Sequence, residues 1–240
     1  VLGGNSGIGI EATTQLLRDK FHVCATYNKK RGNLNKLKKT KKYTNSLSIY
    51  RLDLLNDKTS LNTLKRILKE HKKIDVIVFS ISSEIKNKKI FDLNWKQFQD
   101  HLDTQLKALY LSSLVFSDQI KSGIKIKFLV ILTEYCLSSP PKGLSHYVTA
   151  KYAAMGLAKS ISQEFAEYGS TCNMISPGMV ETDLLQNLPK KLIEINSIKN
   201  PLKRNAKPRD ISNLISFLAS ENSEYINGAN ILVNGGKVLA

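Results

Sequence analysis

A tyrosine and a lysine four residues apart could form an acid/base pair. Tyr147 and Lys151 lie where alanine and leucine recur at helical spacing, so both side chains should project from one helix face, one turn apart. A free tyrosine has a pKa of about 10 and exchanges protons poorly at neutral pH. A nearby positive charge should lower that pKa toward the working range. The pattern is also common in ordinary surface helices, so other segments must decide its meaning.

Glycines at the start of the chain indicate a nucleotide-binding turn. Gly3, Gly7 and Gly9 separate the end of a strand from a helix that continues through Leu16 and Leu17. Glycines let the backbone approach a pyrophosphate, whose charge is bound by free N–H groups at the helix N-terminus. The chain opens within this motif, and we expect that a few residues of a truncated first strand precede it.

The end of the next strand predicts which nucleotide binds. A carboxylate at this position would hold the ribose hydroxyls of NAD. The sequence instead has Asn28, followed by Lys29, Lys30 and Arg31. Cations suit the additional 2′-phosphate of NADP, so the sequence favours NADP(H) over NAD(H).

Strands and helices alternate along the whole chain without a linker or repeat. This alternation predicts an α/β fold of the Rossmann type, a doubly wound parallel sheet in a single domain over residues 1–240. The expected strands are 21–27, 48–54, 74–80, 128–132, 171–175 and 230–233, and the expected helices include 57–71, 95–120, 147–168 and 210–220.

Composition limits the function classes. The chain has 36 basic and 20 acidic residues, a net charge of +16, and eight of the residues from Lys29 to Lys42 are basic. This cluster offers nucleic-acid binding as a rival, but no reader motif accompanies it, so no nucleic acid partner is expected.

No apolar run could span a membrane, and no signal peptide is recognisable. Three widely spaced cysteines suggest no disulfide framework or zinc site and fit the cytoplasm. Histidines at 22, 71 and 101 have no partners at metal-ligand spacing, so we expect no metal.

Taken together, the glycine turn and the Tyr147/Lys151 pair resemble the short-chain dehydrogenase/reductase family. Residues 173–182 resemble the family's Asn-x-x-x-Pro-Gly-x-x-x-Thr segment beside the nicotinamide, and Asp53-Leu54 resembles the pair beside the adenine. The region from Pro201 to Gly236 is similar to the C-terminal part of the 3-oxoacyl-carrier-protein reductases. The resemblance covers essentially the whole chain.

The resemblance implies an oxidoreductase that interconverts a carbonyl and a secondary alcohol by hydride transfer. Tyr147 would protonate the carbonyl oxygen, Lys151 would bind the nicotinamide ribose, and residues 181–207 would cover a small-molecule or carrier-bound substrate. The implied cofactor-binding residues are Gly3, Asn5, Ser6, Gly7, Ile8, Gly9, Asn28, Lys29, Asp53, Leu54, Ser80, Tyr147, Lys151, Pro177, Gly178, Val180 and Thr182.

Three departures from the family pattern raise an alternative. The family's Asn-Asn-Ala-Gly after the fourth strand is replaced by residues 79–82, Phe-Ser-Ile-Ser. The catalytic serine position falls on Thr133 or Glu134, which spacing cannot separate; Thr133 keeps a hydroxyl, whereas Glu134 would repel developing negative charge. Gln105 stands where an asparagine supports a proton-relay water. A catalytically impaired protein that acts as a binding or structural subunit therefore remains a rival hypothesis.

The resemblance also implies a homotetramer or a dimer. Helices 95–120 and 147–168 would pair across a two-fold axis. We expect the apolar contact face to contain Leu102, Leu106, Leu109, Ala154 and Ala158.

Overall fold

The structure is a computed structural model that describes residues 1–239, without the side chains of Gln186 and Asn187. Ala240, the last residue of the expected domain, lies outside the described residues. The strands are β1 (Val23–Tyr27), β2 (Leu47–Arg51), β3 (Val76–Phe79), β4 (Lys127–Ile131), β5 (Thr171–Pro177) and β6 (Asn230–Val233). The helices are α1 (Gly7–Arg18), α2 (Gly32–Lys39), α3 (Asp57–His71), α4 (Trp95–Leu102), α5 (Ala108–Val115), α6 (Ser117–Lys121), α7 (Ser145–Glu164), α8 (Lys190–Lys199) and α9 (Pro208–Ala219).

All strand pairs are parallel. β1 pairs with β2, and β3, β4, β5 and β6 follow one another in that order. Val1 and Leu2 lie between the two groups: the Leu2 nitrogen donates to the Val78 oxygen (2.8 Å), and the Thr26 nitrogen donates to the Val1 oxygen (3.0 Å). The strand order is thus β2, β1, residues 1–2, β3, β4, β5, β6, which confirms the predicted doubly wound sheet.

The two faces of the sheet are buried in two separate cores. Along β4, Phe128 and Val130 face one core and Leu129 and Ile131 the other, as the two-residue period of a strand requires. One core is closed by α3, α5 and α7, and the other by α1, α2 and α9. Burial on both faces explains why the strands read as continuous apolar runs.

Helical segments differ most from the sequence prediction. The helix expected over 95–120 is α4, a π-helical segment at Asp103–Lys107, α5, and then a break at Phe116 before α6. The sequence did not indicate α2 or α8, whose apolar period is weak. Among the described residues, no helix is long and apolar enough to cross a membrane.

Of the five residues expected at the intersubunit face, Leu102 and Leu106 are partly exposed and the other three are buried. Leu109, Ala154 and Ala158 are buried in the chain's own core, because α5 and α7 turn these positions toward the sheet. The same helices expose Tyr110, Leu114 and Tyr152.

Candidate active site

The carboxyl end of β4 and the first turn of α7 bring three predicted residues together. Lys151 is buried, and its Nζ donates to the backbone oxygen of Ile131 (2.6 Å). That Nζ lies 5.8 Å from the centroid of the Tyr147 ring. Thr133 hydrogen-bonds the Tyr147 hydroxyl through its side chain. A phenol, an ammonium and a hydroxyl therefore converge at the strand ends, where ligands bind in open α/β sheets.

Burial controls the protonation of both ionisable groups. It raises the pKa of Tyr147, and the hydrogen bond from Thr133 opposes this only in part. Burial also lowers the pKa of Lys151 to about 8, against a smaller raising effect of Cys136. The expectation that Lys151 would lower the Tyr147 pKa is therefore wrong for this structure, because burial of the phenol is the largest effect and raises that pKa. At neutral pH Tyr147 carries its proton.

Glu134 is paired with a lysine from the C-terminal segment. Its buried carboxylate binds Lys237 Nζ (Oε1, 2.9 Å), while Oε2 lies toward Gly178, where an added Cβ would be 3.3 Å away. Lys237 also donates to Asn196 Oδ1 on α8 (2.7 Å). Of the two positions that spacing left open, Thr133 is the one that contacts Tyr147.

Gln105 is buried in the π-helical segment that faces α7. Neither its Nε2 nor its Oε1 has a hydrogen-bond partner among the described protein atoms. π-Helical turns are rare and occur frequently at functional sites. The segment thus presents an amide with free donor and acceptor positions at the predicted place.

Two histidines that sequence reasoning did not assign to the site lie beside Tyr147. His101 and His146 are both buried, with ring centroids 4.7 Å apart, and the His101 ring lies 6.2 Å from that of Tyr147. Burial lowers the pKa of His101 to about 4, and burial followed by the charge of Lys88 lowers that of His146. Both rings are therefore neutral at pH 7. A signal was available, since His146 precedes Tyr147 and His101 lies one helical turn before Gln105.

The glycine turn is built for close backbone approach. Gly3 has φ +79°, and a Cβ there would lie 2.4 Å from the Ser80 oxygen. A Cβ on Gly9 would lie 2.1 Å from the Gly3 oxygen. Thr26, which the sequence reading missed, is buried and accepts a hydrogen bond from the Gly3 nitrogen (3.1 Å). Only glycine fits at positions 3 and 9, and Thr26 fixes the turn to β1.

The other predicted residues of this turn have different surroundings. Asn5 Nδ2 donates to the Lys30 oxygen (2.8 Å), and Asn5 Oδ1 accepts from the Leu34 nitrogen (3.2 Å). Asn5 therefore holds the loop between β1 and α2. Ser6 is exposed at the start of α1, and Ile8 packs partly into the core.

A cavity of about 420 Å³ extends from the glycine turn to the two histidines. Asn28, Lys29 and Leu54 line it, and Lys29 is exposed. Asp53 and Ser80 are next in sequence to residues that line the cavity. Asp53 Oδ1 accepts from the Leu55 nitrogen (3.2 Å), and the Ser80 nitrogen donates to the Leu2 oxygen (3.0 Å).

The segment that follows β5 lies beside the glycine turn. β5 ends at Pro177, and the Gly178 nitrogen donates to the Val233 oxygen (3.1 Å). Val180 is buried and pairs with Ala206. Thr182 reaches the glycine turn, since a Cβ on Gly7 would lie 3.2 Å from its methyl group. Thr182 therefore brings the segment after β5 next to the glycine turn.

The cleft fits a nicotinamide dinucleotide. Glycines without room for a Cβ leave the backbone open to a pyrophosphate, the cavity has space for an adenosine, and Tyr147 and Lys151 stand at the other end.

Comparisons with known proteins agree with this geometry. The family model described as enoyl-(acyl carrier protein) reductase matches residues 3–237. The 3-oxoacyl-(acyl-carrier-protein) reductase FabG of Buchnera aphidicola is 28% identical over 239 residues, 98% of this chain and 95% of that protein. FabG of Staphylococcus epidermidis is also 28% identical, over 98% of this chain and 96% of that protein.

Solved structures with a similar fold and sequence also include dehydrogenases. A 4-hydroxyisoleucine dehydrogenase complexed with NADH is 28% identical with a TM-score of 0.88, covering 99% of this chain and 97% of that one. Because the family model spans nearly the whole chain, this protein belongs to the short-chain dehydrogenase/reductase family of NAD(P)-dependent oxidoreductases.

Proposed function

We propose that the protein is an NADP(H)-dependent carbonyl reductase with Tyr147 as its proton donor. The observation that carries the proposal is the convergence of three groups: Tyr147, hydrogen-bonded by Thr133, with the buried ammonium of Lys151 one helical turn away.

The bound nicotinamide would supply the hydride. Tyr147 donates its proton to the carbonyl oxygen, and the Thr133 hydroxyl binds that same oxygen. Because the raised pKa keeps Tyr147 protonated at neutral pH, the phenol has a proton to donate in the reduction. Lys151 holds the ribose hydroxyls, and the Gln105 amide binds a water that returns a proton toward Tyr147. Pro177, Gly178, Val180 and Thr182 hold the nicotinamide end, and Gly3 to Gly9 the pyrophosphate.

Two features of the site argue against the alternative hypothesis, a catalytically impaired protein that acts as a binding or structural subunit. Glu134 binds Lys237, so its negative charge is compensated by an ammonium. Gln105 keeps both amide groups free of protein partners. The departures from the family pattern thus leave the acid/base groups in place.

Cofactor choice rests on the cations after β1. Lys29, Lys30 and Arg31 are exposed at the adenosine end, and no acid follows the strand. A charged hydrogen bond to the 2′-phosphate contributes about 1.5–3 kcal/mol, or roughly ten- to a hundredfold in affinity. We therefore expect tighter binding of NADPH than of NADH, although the 4-hydroxyisoleucine dehydrogenase structure contains NADH.

The proposed substrate class is a carbonyl compound, small or carrier-bound. The curated relatives are named for acyl-carrier substrates, and residues 181–207 would close over the acyl group. A net charge of +16 suits an acidic carrier. The three cysteines are unpaired, which agrees with a reducing compartment such as the cytoplasm.

The test is a screen of carbonyl substrates, including 3-oxoacyl thioesters, followed by the absorbance of NADPH and of NADH. For a substrate that is turned over, Tyr147→Phe should lower kcat by roughly 10²–10⁴-fold while NADPH binding changes little. Tyr152→Phe is the matched control, since Tyr152 lies on the same helix and is exposed. Equal losses in the two variants would refute the role of Tyr147, and equal affinity for NADH would refute the cofactor preference.

A further inference from the structure

Three side chains of types that can bind metals meet at the amino end of β1. The cofactor cleft lies at the other end of the strands. His22 directly precedes β1, Cys24 lies within it, and His71 is the last residue of α3. Their potential ligand atoms all lie within 4.8 Å of one another, and the two imidazole centroids are 4.9 Å apart. The expectation of no metal site rested on sequence spacing, and the fold removes that argument by bringing distant segments together.

We propose that His22, Cys24 and His71 form a zinc-binding site. Two imidazoles and a thiolate are donors that Zn²⁺ prefers, at about 2.0–2.1 Å for nitrogen and 2.3 Å for sulfur. Tetrahedral geometry at these bond lengths places ligand atoms roughly 3.5 Å apart. The site closes by a movement of about 1 Å, which the exposed His22 side chain at the start of its strand can make.

A second shell of hydrogen bonds already fixes one ligand. The Tyr50 hydroxyl donates to Glu70 Oε2 (2.6 Å) and lies 2.7 Å from His71 Nε2. The Tyr50 hydroxyl has only one proton, and it is donated to Glu70. His71 Nε2 must therefore carry the proton of the second hydrogen bond and donate it to the Tyr50 oxygen. The lone pair of the His71 ring is then on Nδ1. Outer partners of this kind set the tautomer of metal-binding histidines, with a carboxylate at the end of the chain.

The surroundings provide charge compensation. Glu70 and the Cys24 thiolate supply negative charge, while the nearby Lys38 ammonium is bound by the backbone oxygens of Thr44 and Leu47. A water would complete the tetrahedral coordination as the fourth ligand. On binding, the Cys24 thiol releases its proton to solvent and no electron is transferred.

The test is a titration of the purified full chain with Zn²⁺ in the presence of a competing chelator, and in parallel with Co²⁺ as a spectroscopic probe. We expect one ion per chain and an intense visible Co²⁺ spectrum of tetrahedral type, with a near-ultraviolet thiolate charge-transfer band. Cys24→Ser should abolish that band, and His71→Gln should weaken affinity at least tenfold. Tyr50→Phe keeps the ring in the core and should weaken affinity by roughly 10–100-fold.

The matched control is His101→Gln, the same change in the other histidine pair. That variant should keep the affinity and spectrum of the parent chain. Loss of binding there, a weak octahedral Co²⁺ spectrum, or unchanged binding in both Cys24→Ser and His71→Gln would each overturn the site at residues 22, 24 and 71. None of these measurements depends on carbonyl reduction, so their failure would leave the proposed function untouched.

Discussion

Lys151 is held in the charged form at a site that disfavours charge. It is 4% exposed, and a single backbone oxygen accepts from its ammonium. Burial lowers its pKa from 10.5 to about 8. The unfolded chain therefore binds this proton more tightly than the folded chain does, and Lys151 destabilises the fold most at low pH.

The difference between the folded and unfolded pKa of Lys151 predicts how stability changes with pH. Between pH 7 and pH 9 the folded Lys151 loses its proton while the unfolded residue keeps it, so the stability contribution of Lys151 should rise by about 1 kcal/mol. We expect the difference in unfolding free energy between the parent chain and Lys151→Met to shift in favour of the parent by that amount. Urea unfolding at both pH values measures it, with the exposed Lys159→Met as control. A constant difference across this range would contradict the lowered pKa.

At the level of elements, the π-helical segment sets the position of Gln105. The amide of Gln105 is buried within this segment, which packs against α7. Gln105→Leu preserves size and removes two buried polar groups without protein partners. We expect the melting temperature not to fall, because a buried polar group without a partner costs about 1–3 kcal/mol.

The same variant should lose activity. If the amide supports proton return to Tyr147, Gln105→Leu should lower kcat with little change in KM for the carbonyl substrate. Gln105→Asn, which keeps the amide, should retain more of the rate. A variant that melts lower and keeps its full kcat would show that Gln105 has only a packing role.

The ion pair between Glu134 and Lys237 joins the loop after β4 to the C-terminal segment. Lys237→Met should destabilise the fold by about 2–3 kcal/mol, less than for a fully buried pair because Lys237 is 29% exposed. The double variant Glu134→Gln/Lys237→Met should recover part of the loss, since no buried charge is left alone. Chemical unfolding of the parent, the single and the double variants measures this, and additive losses would contradict the pairing.

Elements with strong patterns could be predicted from the sequence, and orientations could not. Apolar runs identified the strands, and the spacing of Tyr147 and Lys151 placed both on one helix. Whether Thr133 or Glu134 faces Tyr147 depends on backbone direction after β4, which the spacing of residues does not encode. The pairing of His101 with His146, and the meeting of His22 with His71, join distant segments whose contacts only the folded sheet creates.

On the scale of the whole molecule, one run of basic residues begins at the cofactor cleft. The basic residues from 29 to 42 follow β1 and continue along α2, and Lys29 lines the cavity. A positive potential at a cleft raises the association rate of an anionic ligand, and salt weakens the effect. We propose that the basic cluster attracts the anionic cofactor rather than a nucleic acid.

Assembly should depend on the exposed face of α5 and α7. Tyr110, Leu114 and Tyr152 are 52%, 52% and 43% exposed, an apolar surface on adjacent helices. We propose that this face forms the contact in a homotetramer or dimer. Leu114→Glu should then reduce the molar mass measured by light scattering, whereas Ile198→Glu, an equally apolar and exposed position on α8, should not. A monomeric parent chain at micromolar concentration would contradict the proposal.

The burial of Lys151 and Gln105 also has an evolutionary consequence. Both positions place polar groups in the core where an apolar side chain would fit, and stabilising changes are easy to find at such sites. A laboratory selection for heat resistance that ignored turnover should therefore enrich apolar residues at 105 and 151. The survivors would be sturdier proteins with the same fold and little reductase activity, so thermal tolerance and catalysis should trade off at these two codons.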